Sequence, residues 1–496
     1  MPPLFRKVLI ANRGEIAIRI ARTLKELGIG AVAAFTEADR QSAHVAFADE
    51  AVPLGDNPRA YLDVERVVAA ARRAGADALH PGYGFLSENP ALAEACERAG
   101  IVFVGPPASA ISTMGSKQRA RAAMSAAGVP VVPGGGAETL EEARETARRV
   151  GYPILVKATD GGGGKGMRRV ESEAELETAL TRTSSEALAA FGSARIYIEK
   201  ALVRPRHVEL QILGDREGNL VQLYERDCSL QRRHQKIVEE TPCPTLAAAT
   251  LASMAAVALE GARSLGYYSA GTFEFLLDAD QSFYFLEMNT RLQVEHPVTE
   301  AITGLDLVRE MLRIAAGERI QTTPPERRGA AMEARVYAED PERGFLPSPG
   351  RVQALREPSG PFVRVDSGIE VGSVIGTEYD PLLAKLSVWG ENREQARARL
   401  SRALGEYSVL GIDTNLGFLS RLVSDADFVR GEYDTELVER RSDLYGAPPL
   451  PAGERDDWVA ALAALDLADT STAHAARANA ASTLSPWLLV ERARLR

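Results

Sequence analysis

Apolar and polar positions along the first hundred residues switch between two periods. The run "KVLIA" is a short apolar strand, and "EIAIRIARTLKELG" carries apolar residues at helical spacing up to Gly28. "AVAAF" reads as a second strand, and "DVERVVAAARRAGADALHPG" and "LAEACERAGIVFVG" repeat the order of helix then strand. Elements alternating in this way build βαβ units around a parallel sheet. The first strand-to-helix turn is "ANRGE" and lacks G-x-G-x-x-G, so this Rossmann-like sheet is not expected to bind NAD.

From about Val131 the pattern changes. "PVVPGGGAETLEEARETARRVG" predicts a glycine-rich connection and a helix, "YPILVKATDGGGGKGMRRV" a strand, a glycine loop and a strand, and "ARIYIEKAL" another strand. Together they predict a small α/β insertion with a mobile tip. Beyond Arg204 several strands are expected, with helices near 246–265 and 306–316. "YGAPPLPAGERDDW" reads as a linker, and the Ala-rich segment after it as helical. The predicted divisions are 1–115, 116–203 (with a linker over 116–131), 204–446 and 447–496.

One stretch carries unusual polarity. In "FYFLEMNTRLQVEHP", residues 283–297, Glu287, Asn289, Arg291, Gln293 and Glu295 fall at every second position. In an extended chain these five side chains share one face. The preceding "GTFEFLLDADQS" supplies a partner strand and a turn, so the two form a hairpin. A turn centred between Asp280 and Gln281 sets Glu274 opposite Glu287. Carboxylates about 5 Å apart repel by roughly 3 kcal/mol at an effective dielectric of about 20. A cation between them removes that cost, and Mg²⁺ suits carboxylate oxygens and substrate phosphates. A solvated strand face is the other reading.

Three more segments bear on chemistry. "KATDGGGGKGMRR", residues 157–169, lets backbone N–H groups approach an anion and lets a loop close over it. It is no P-loop, because Thr159 and Gly166 stand where Gly and Ser or Thr are required. A flexible hairpin tip is the alternative. "RDCSLQRRHQKIVEE" puts Arg232, His234 and Lys236 on one face if extended, suited to an oxyanion, and a charged surface strand would look the same. In "RHVELQIL" the polar set His207, Glu209 and Gln211 suits either a sheet surface or a site wall. Arg335, alone in "MEARVYAED", reads as a salt-bridge partner, and Cys228 as structural.

Composition narrows the class. The chain has 496 residues, 45% hydrophobic and 25% charged, as a soluble protein of about three domains would. With a net charge of −10, partnership with nucleic acid or an anionic membrane is not expected. The N-terminus shows no signal-peptide pattern, and three cysteines form neither a disulfide framework nor a zinc pattern. A reducing, cytoplasmic setting is expected.

The motifs "ANRGEIA", "HPGYGFLSEN", "MGSK", "GGGGKGM", "ERDCSLQRRHQK", "EMNTRLQVEHPVTE" and "FLPSPG" occur in this order. As a set, over roughly residues 3–446, they resemble biotin carboxylase, a member of the ATP-grasp superfamily. The resemblance implies an α/β protein. A Rossmann-like N-terminal domain would be followed by an ATP-grasp fold with a mobile glycine-rich lid and by a C-terminal α+β domain. The implied reaction is ATP-dependent carboxylation of biotin by bicarbonate through carboxyphosphate.

The resemblance also implies roles. Lys117, Lys157, Gly163, Gly164 and His234 would serve the ATP phosphates, and Glu199, Lys200, Leu202 and Leu276 the adenine. His207 and Gln231 would lie near the ribose, and Glu274, Glu287 and Asn289 would hold Mg²⁺ or Mn²⁺. Lys236, Arg291, Gln293 and the Val294 amide would bind bicarbonate, Glu295 would be its base, and Arg335 would bind biotin. "TEYDPLLAKL" is more similar to the α subunits of propionyl- or methylcrotonyl-type carboxylases than to a stand-alone acetyl-CoA carboxylase subunit. No biotinyl M-K-M occurs, so biotin is expected on a carrier protein or domain, with a carboxyltransferase subunit and a homodimer or larger complex as partners.

Overall fold

The computed structural model describes residues 4–137, 139–158, 167–191, 196–233 and 235–446. The expected lid tip with Gly163 and Gly164, His234, and the segment 447–496 lie outside the described residues.

The N-terminal pattern folds as βαβ units. Five parallel strands lie in the order Glu50–Gly55, Gly30–Thr36, Lys7–Ile10, Ala78–His80, Val102–Phe103. Leu9 faces one apolar core, while Val8 and Ile10 face another, which explains the unbroken apolar run of a parallel strand buried on both sides. The helix Val64–Ala74 shows how local sequence sets its limits. The Asp63 side chain accepts from the Arg66 N–H at its start, and Gly75 closes it at φ 64°. The second of those cores also takes in Leu213, Leu223 and Ala270, so it joins this sheet to the next.

That next sheet is antiparallel and has eight strands, ordered Phe283–Asn289, Ser269–Leu277, Arg206–Gly214, Leu220–Arg232, Gln235–Thr241, Ala330–Tyr337, Leu382–Gly390, Val363–Ser367. A separate antiparallel sheet of four strands holds Gly134–Ala137, Ile196–Lys200, Ile154–Ala158 and Met167–Val170. The expected helices at 246–265 and 306–316 are Ala248–Ser264 and Leu307–Ala315. Among the described residues, no helix is long and apolar enough to cross a membrane.

Two expectations need correction. The stretch from Arg226 is not one extended run: Arg232 pairs with Gln235, so the chain reverses there in a tight hairpin. Arg232 leaves the Lys236 face, bonds Glu339 at 2.9 Å and lies 4.1 Å over the Phe345 ring. The strand bearing Glu287 ends at Asn289, and a helix, His296–Thr303, begins directly after Glu295. Arg291, Gln293 and Glu295 therefore sit in a connection, not on the strand's face.

Candidate active site

Glu274 does pair with Glu287 across the hairpin. Nearer the turn the pairing is Phe275 with Phe285, so one residue, Leu286, bulges out. The bulge supplies the offset that a symmetric turn about Asp280 would lack. Glu274 also pairs with Glu209, and Glu209 with Arg226. A row of three carboxylates ending in a guanidinium thus crosses four strands on one sheet face.

Lys236 neutralises much of this row. Its Nζ lies 2.5 Å from Glu209, 2.8 Å from Glu274 and 2.6 Å from Glu295. Arg226, fully buried, donates to Glu209 at 2.5 Å and to Gln211 and Thr299, each at 2.8 Å. The register slips by one residue between the Leu230–Val238 and Gln231–Lys236 pairs. Bulges of this kind re-aim side chains, and here Lys236 and Glu239 both reach the same cluster.

The connection after the strand folds back onto the row. Asn289 Nδ2 and Gln293 Nε2 donate to Glu274 Oε1 at 2.6 and 2.9 Å. Arg291 donates to Asn289 Oδ1 and Gln293 Oε1, both at 2.9 Å, and its Nε to Glu88 at 3.0 Å. Glu295, fully buried, accepts from Lys236 through Oε1 and from Arg335 Nη2 at 2.9 Å through Oε2. Arg335 Nε donates to Glu239 at 2.6 Å. The five alternating polar residues still converge, because the chain turns back where the strand ends.

Charge follows geometry. Burial opposes ionisation of Glu295, but Lys236 and then Arg335 overcome it and hold the carboxyl well below its usual range. Glu274 is likewise lowered against burial, chiefly by Lys236 and His207. Glu287 is raised, first by desolvation in the cleft and then by the Glu274 charge, although its side chain remains open to solvent. Burial pushes Glu239 up to about 8 and Glu333 up to about 7. Cys228 Sγ is 3.8 Å from Glu295, and burial raises its thiol well above its usual range, which suits a structural residue.

The donors fit a hard divalent cation. Glu274 and Glu287 face each other with like charge, while Asn289 turns its Nδ2 to Glu274 and its Oδ1 to Arg291, so the two carboxylates supply the oxygens that face an ion. Oxygen donors of this kind suit Mg²⁺. His207, Glu209 and Glu274 also lie within reach of a single ion, but Glu209 is held by two cations, Arg226 and Lys236, whereas Glu274 shares only Lys236 of the two.

The remaining expected residues surround this centre. His207 Nε2 is 2.7 Å from Glu274 Oε2, and Gln231 Nε2 is 3.4 Å from His207 Nδ1. Leu276, partly buried, pairs with His207 across the strands. Lys117 begins the helix Lys117–Ala126, and its charge acts on Glu287. On the four-stranded sheet Lys157 pairs with Glu199, Lys200 bonds the Gly151 and Tyr152 carbonyls, each at 3.2 Å, and Leu202 follows, half-buried. The carbonyl of Val294 accepts from Lys385 at 2.9 Å.

Arg226, Glu239, Glu333, Glu88 and Lys385 were not singled out from sequence. The available signal was a charge inside an apolar strand, as in "LLAKLSVWG", because buried charges occur only when paired.

A parallel sheet joined to an antiparallel sheet with this carboxylate and lysine face defines an ATP-grasp ligase. The chain matches "Biotin carboxylase, N-terminal domain" over residues 4–111, "Carbamoyl-phosphate synthase L chain, ATP binding domain" over 116–323 and "Biotin carboxylase C-terminal domain" over 333–440. It is 48% identical to the biotin carboxylase of Nostoc sp. over 88% of this chain and 99% of that protein. It belongs to the biotin carboxylase family. It is also 48% identical to the mitochondrial methylcrotonoyl-CoA carboxylase subunit alpha of Arabidopsis thaliana, over 90% of this chain but only 62% of that subunit. The biotin carboxylase domain dimer of the Hydrogenobacter thermophilus 2-oxoglutarate carboxylase, solved with MgADP, ADP and bicarbonate, superposes with a TM-score of 0.82. It is 44% identical, over 90% of this chain and 99% of that one.

Proposed function

We propose that this chain carboxylates biotin, using ATP and bicarbonate, as the first half-reaction of a biotin-dependent carboxylase. The observation that carries this is the placement of Glu295 between Lys236 and Arg335, at 2.6 and 2.9 Å. Glu295 is the base that takes the bicarbonate proton at a carboxylate oxygen, and a depressed pKa keeps it ionised to do so. Lys236, Arg291, Gln293 and the Val294 amide hold the anion. As Lys236 turns its donors to bicarbonate, its grip on Glu295 loosens and the carboxylate becomes more basic. An oxygen of bicarbonate attacks the γ-phosphorus, ADP leaves, and carboxyphosphate forms. The bond between its carbon and the oxygen shared with phosphorus breaks to give carbon dioxide and phosphate. The phosphate takes the proton of the biotin ureido nitrogen, and that nitrogen bonds the carbon dioxide while Arg335 stabilises the charge on the ureido oxygen.

Glu274 and Glu287, with Asn289, would hold Mg²⁺ or Mn²⁺, which supplies charge neutralisation to the transferring phosphoryl group. Lys117, Lys157 and His234 serve the phosphates, and Gly163 and Gly164 close over them. Glu199, Lys200, Leu202 and Leu276 serve the adenine, and His207 and Gln231 the ribose. Biotin arrives on a carrier protein or domain, a carboxyltransferase consumes the product, and the chain works as a homodimer or in a larger cytoplasmic complex. The dimeric solved relative and the resemblance to carboxylase α subunits support this assembly.

ADP release, measured with and without bicarbonate and free biotin, tests the reading. Release that requires bicarbonate and rises with biotin supports it. Bicarbonate dependence without biotin stimulation points to another ATP-grasp ligase, and no release at all to a scaffold subunit.

A further inference from the structure

Lys385 is a lysine in the apolar strand Leu382–Gly390, and its side chain has no solvent exposure. A buried ammonium of this kind needs partners to offset its lost hydration. Nζ donates to the Val294 carbonyl at 2.9 Å and lies 3.3 Å from Glu15 Oε2. Glu15, itself buried, accepts from the Tyr83 hydroxyl through Oε1. Glu15 lies in the first turn of the first helix of the parallel domain, Gly14–Glu26, and Tyr83 follows the fourth strand in sequence order, Ala78–His80. Lys385 pairs across the strands with Arg335. Glu15, Tyr83, Val294 and Arg335 line one cavity of about 330 Å³.

We infer that Lys385, anchored by Glu15, is a positioning residue that fixes the peptide between Val294 and Glu295 and so aims the Glu295 carboxylate. The carbonyl of Val294 and the N–H of Glu295 belong to one rigid plane. Fastening the oxygen sets the direction in which Glu295 leaves the chain, and it limits rotation of the Val294 amide on the other side of the same residue. Three segments far apart in sequence meet at this point, so the geometry of the bicarbonate loop depends on the parallel domain being seated against the large sheet. ATP is held elsewhere in the proposed reaction, so the clamp acts on bicarbonate alone. This inference rests on that reaction, and misplacing a reacting group by about 1 Å can lower the rate by roughly a hundredfold.

The test compares Lys385→Met with the double variant Lys385→Met/Glu15→Gln. The single change leaves Glu15, whose pKa burial already raises to about 7, without its cation and can fail to fold, whereas the double change replaces both ionisable groups together. In the double variant, folded by circular dichroism, the KM for bicarbonate should rise about ten- to a hundredfold while the KM for MgATP stays within about twofold. Hydrogen exchange of the amides of residues 292–295 should also quicken, a readout that needs no activity. A folded double variant with unchanged bicarbonate KM and unchanged exchange would overturn the clamp, as would parallel rises in both KM values. Wild-type protein without bicarbonate-dependent ADP release would instead refute the proposed reaction, leaving the exchange experiment to judge the clamp.

Discussion

The ammonium of Lys236 lies 2.6 Å from Oε1 of Glu295 and ties the proposed base to the carboxylates of Glu209 and Glu274. A base in this position is ionised at neutral pH but restrained by its partners. Glu295→Gln keeps the shape and removes the proton acceptor. Bicarbonate-dependent ADP release should fall by about 10²- to 10⁴-fold, the usual contribution of general-base catalysis. Steady-state assays at saturating MgATP check this, and a loss below tenfold would assign the base elsewhere.

Glu287→Gln should raise the Mg²⁺ concentration needed for half-maximal ADP release by at least about tenfold, because it removes half of the charge facing the ion. The fold should survive a nearly isosteric change at an exposed position. A metal titration that superposes on wild type would remove Glu287 from the metal site.

Arg335 touches Glu295 but belongs, in the proposed chemistry, to the second step. Arg335→Ala should retain part of the bicarbonate-dependent ATP cleavage and lose carboxylation of biotin by about 10²- to 10³-fold, the usual cost of removing one charge-stabilising donor. Assaying both products in the same reaction separates the steps. Equal loss of both would mean that Arg335 acts mainly by holding Glu295.

Much of this site was legible because hairpins and βαβ units leave local patterns. The pairing of Glu274 with Glu287 followed from turn position and alternation, although the structure reaches it through the bulge at Leu286. Bulges have no reliable mark in a single sequence. The hairpin between Arg232 and Gln235 was hidden because the sequence between those two residues holds neither Gly nor Asn. All nine residues of Arg206–Gly214 are buried, polar ones included, although alternation suggested a half-buried strand. Glu209 is buried by contacts with Arg226 and Lys236, which follow it in sequence by 17 and 27 residues. Such tertiary pairing is outside the reach of periodicity.

Glu333 provides a test by pH. Burial raises its pKa to about 7, above the roughly 4.3 of an unfolded glutamate. A raised folded-state value means that its contribution to stability is fully present below about pH 4.3 and is lost as pH rises through about 7. Glu333→Gln stays neutral and can still accept from the Ser387 hydroxyl. The melting temperature of the variant should therefore gain on wild type as pH rises from 5 to 8. A constant difference across that range would show that Glu333 does not titrate there.

The central claim is that this chain moves carbon from bicarbonate to biotin at the expense of ATP. Radiolabelled bicarbonate, free biotin and MgATP, incubated with the purified chain, test it most directly. Acid-labile label should appear on biotin, should require ATP, and should vanish in Glu295→Gln. Label absent from biotin while bicarbonate-dependent ADP release continues would contradict the account.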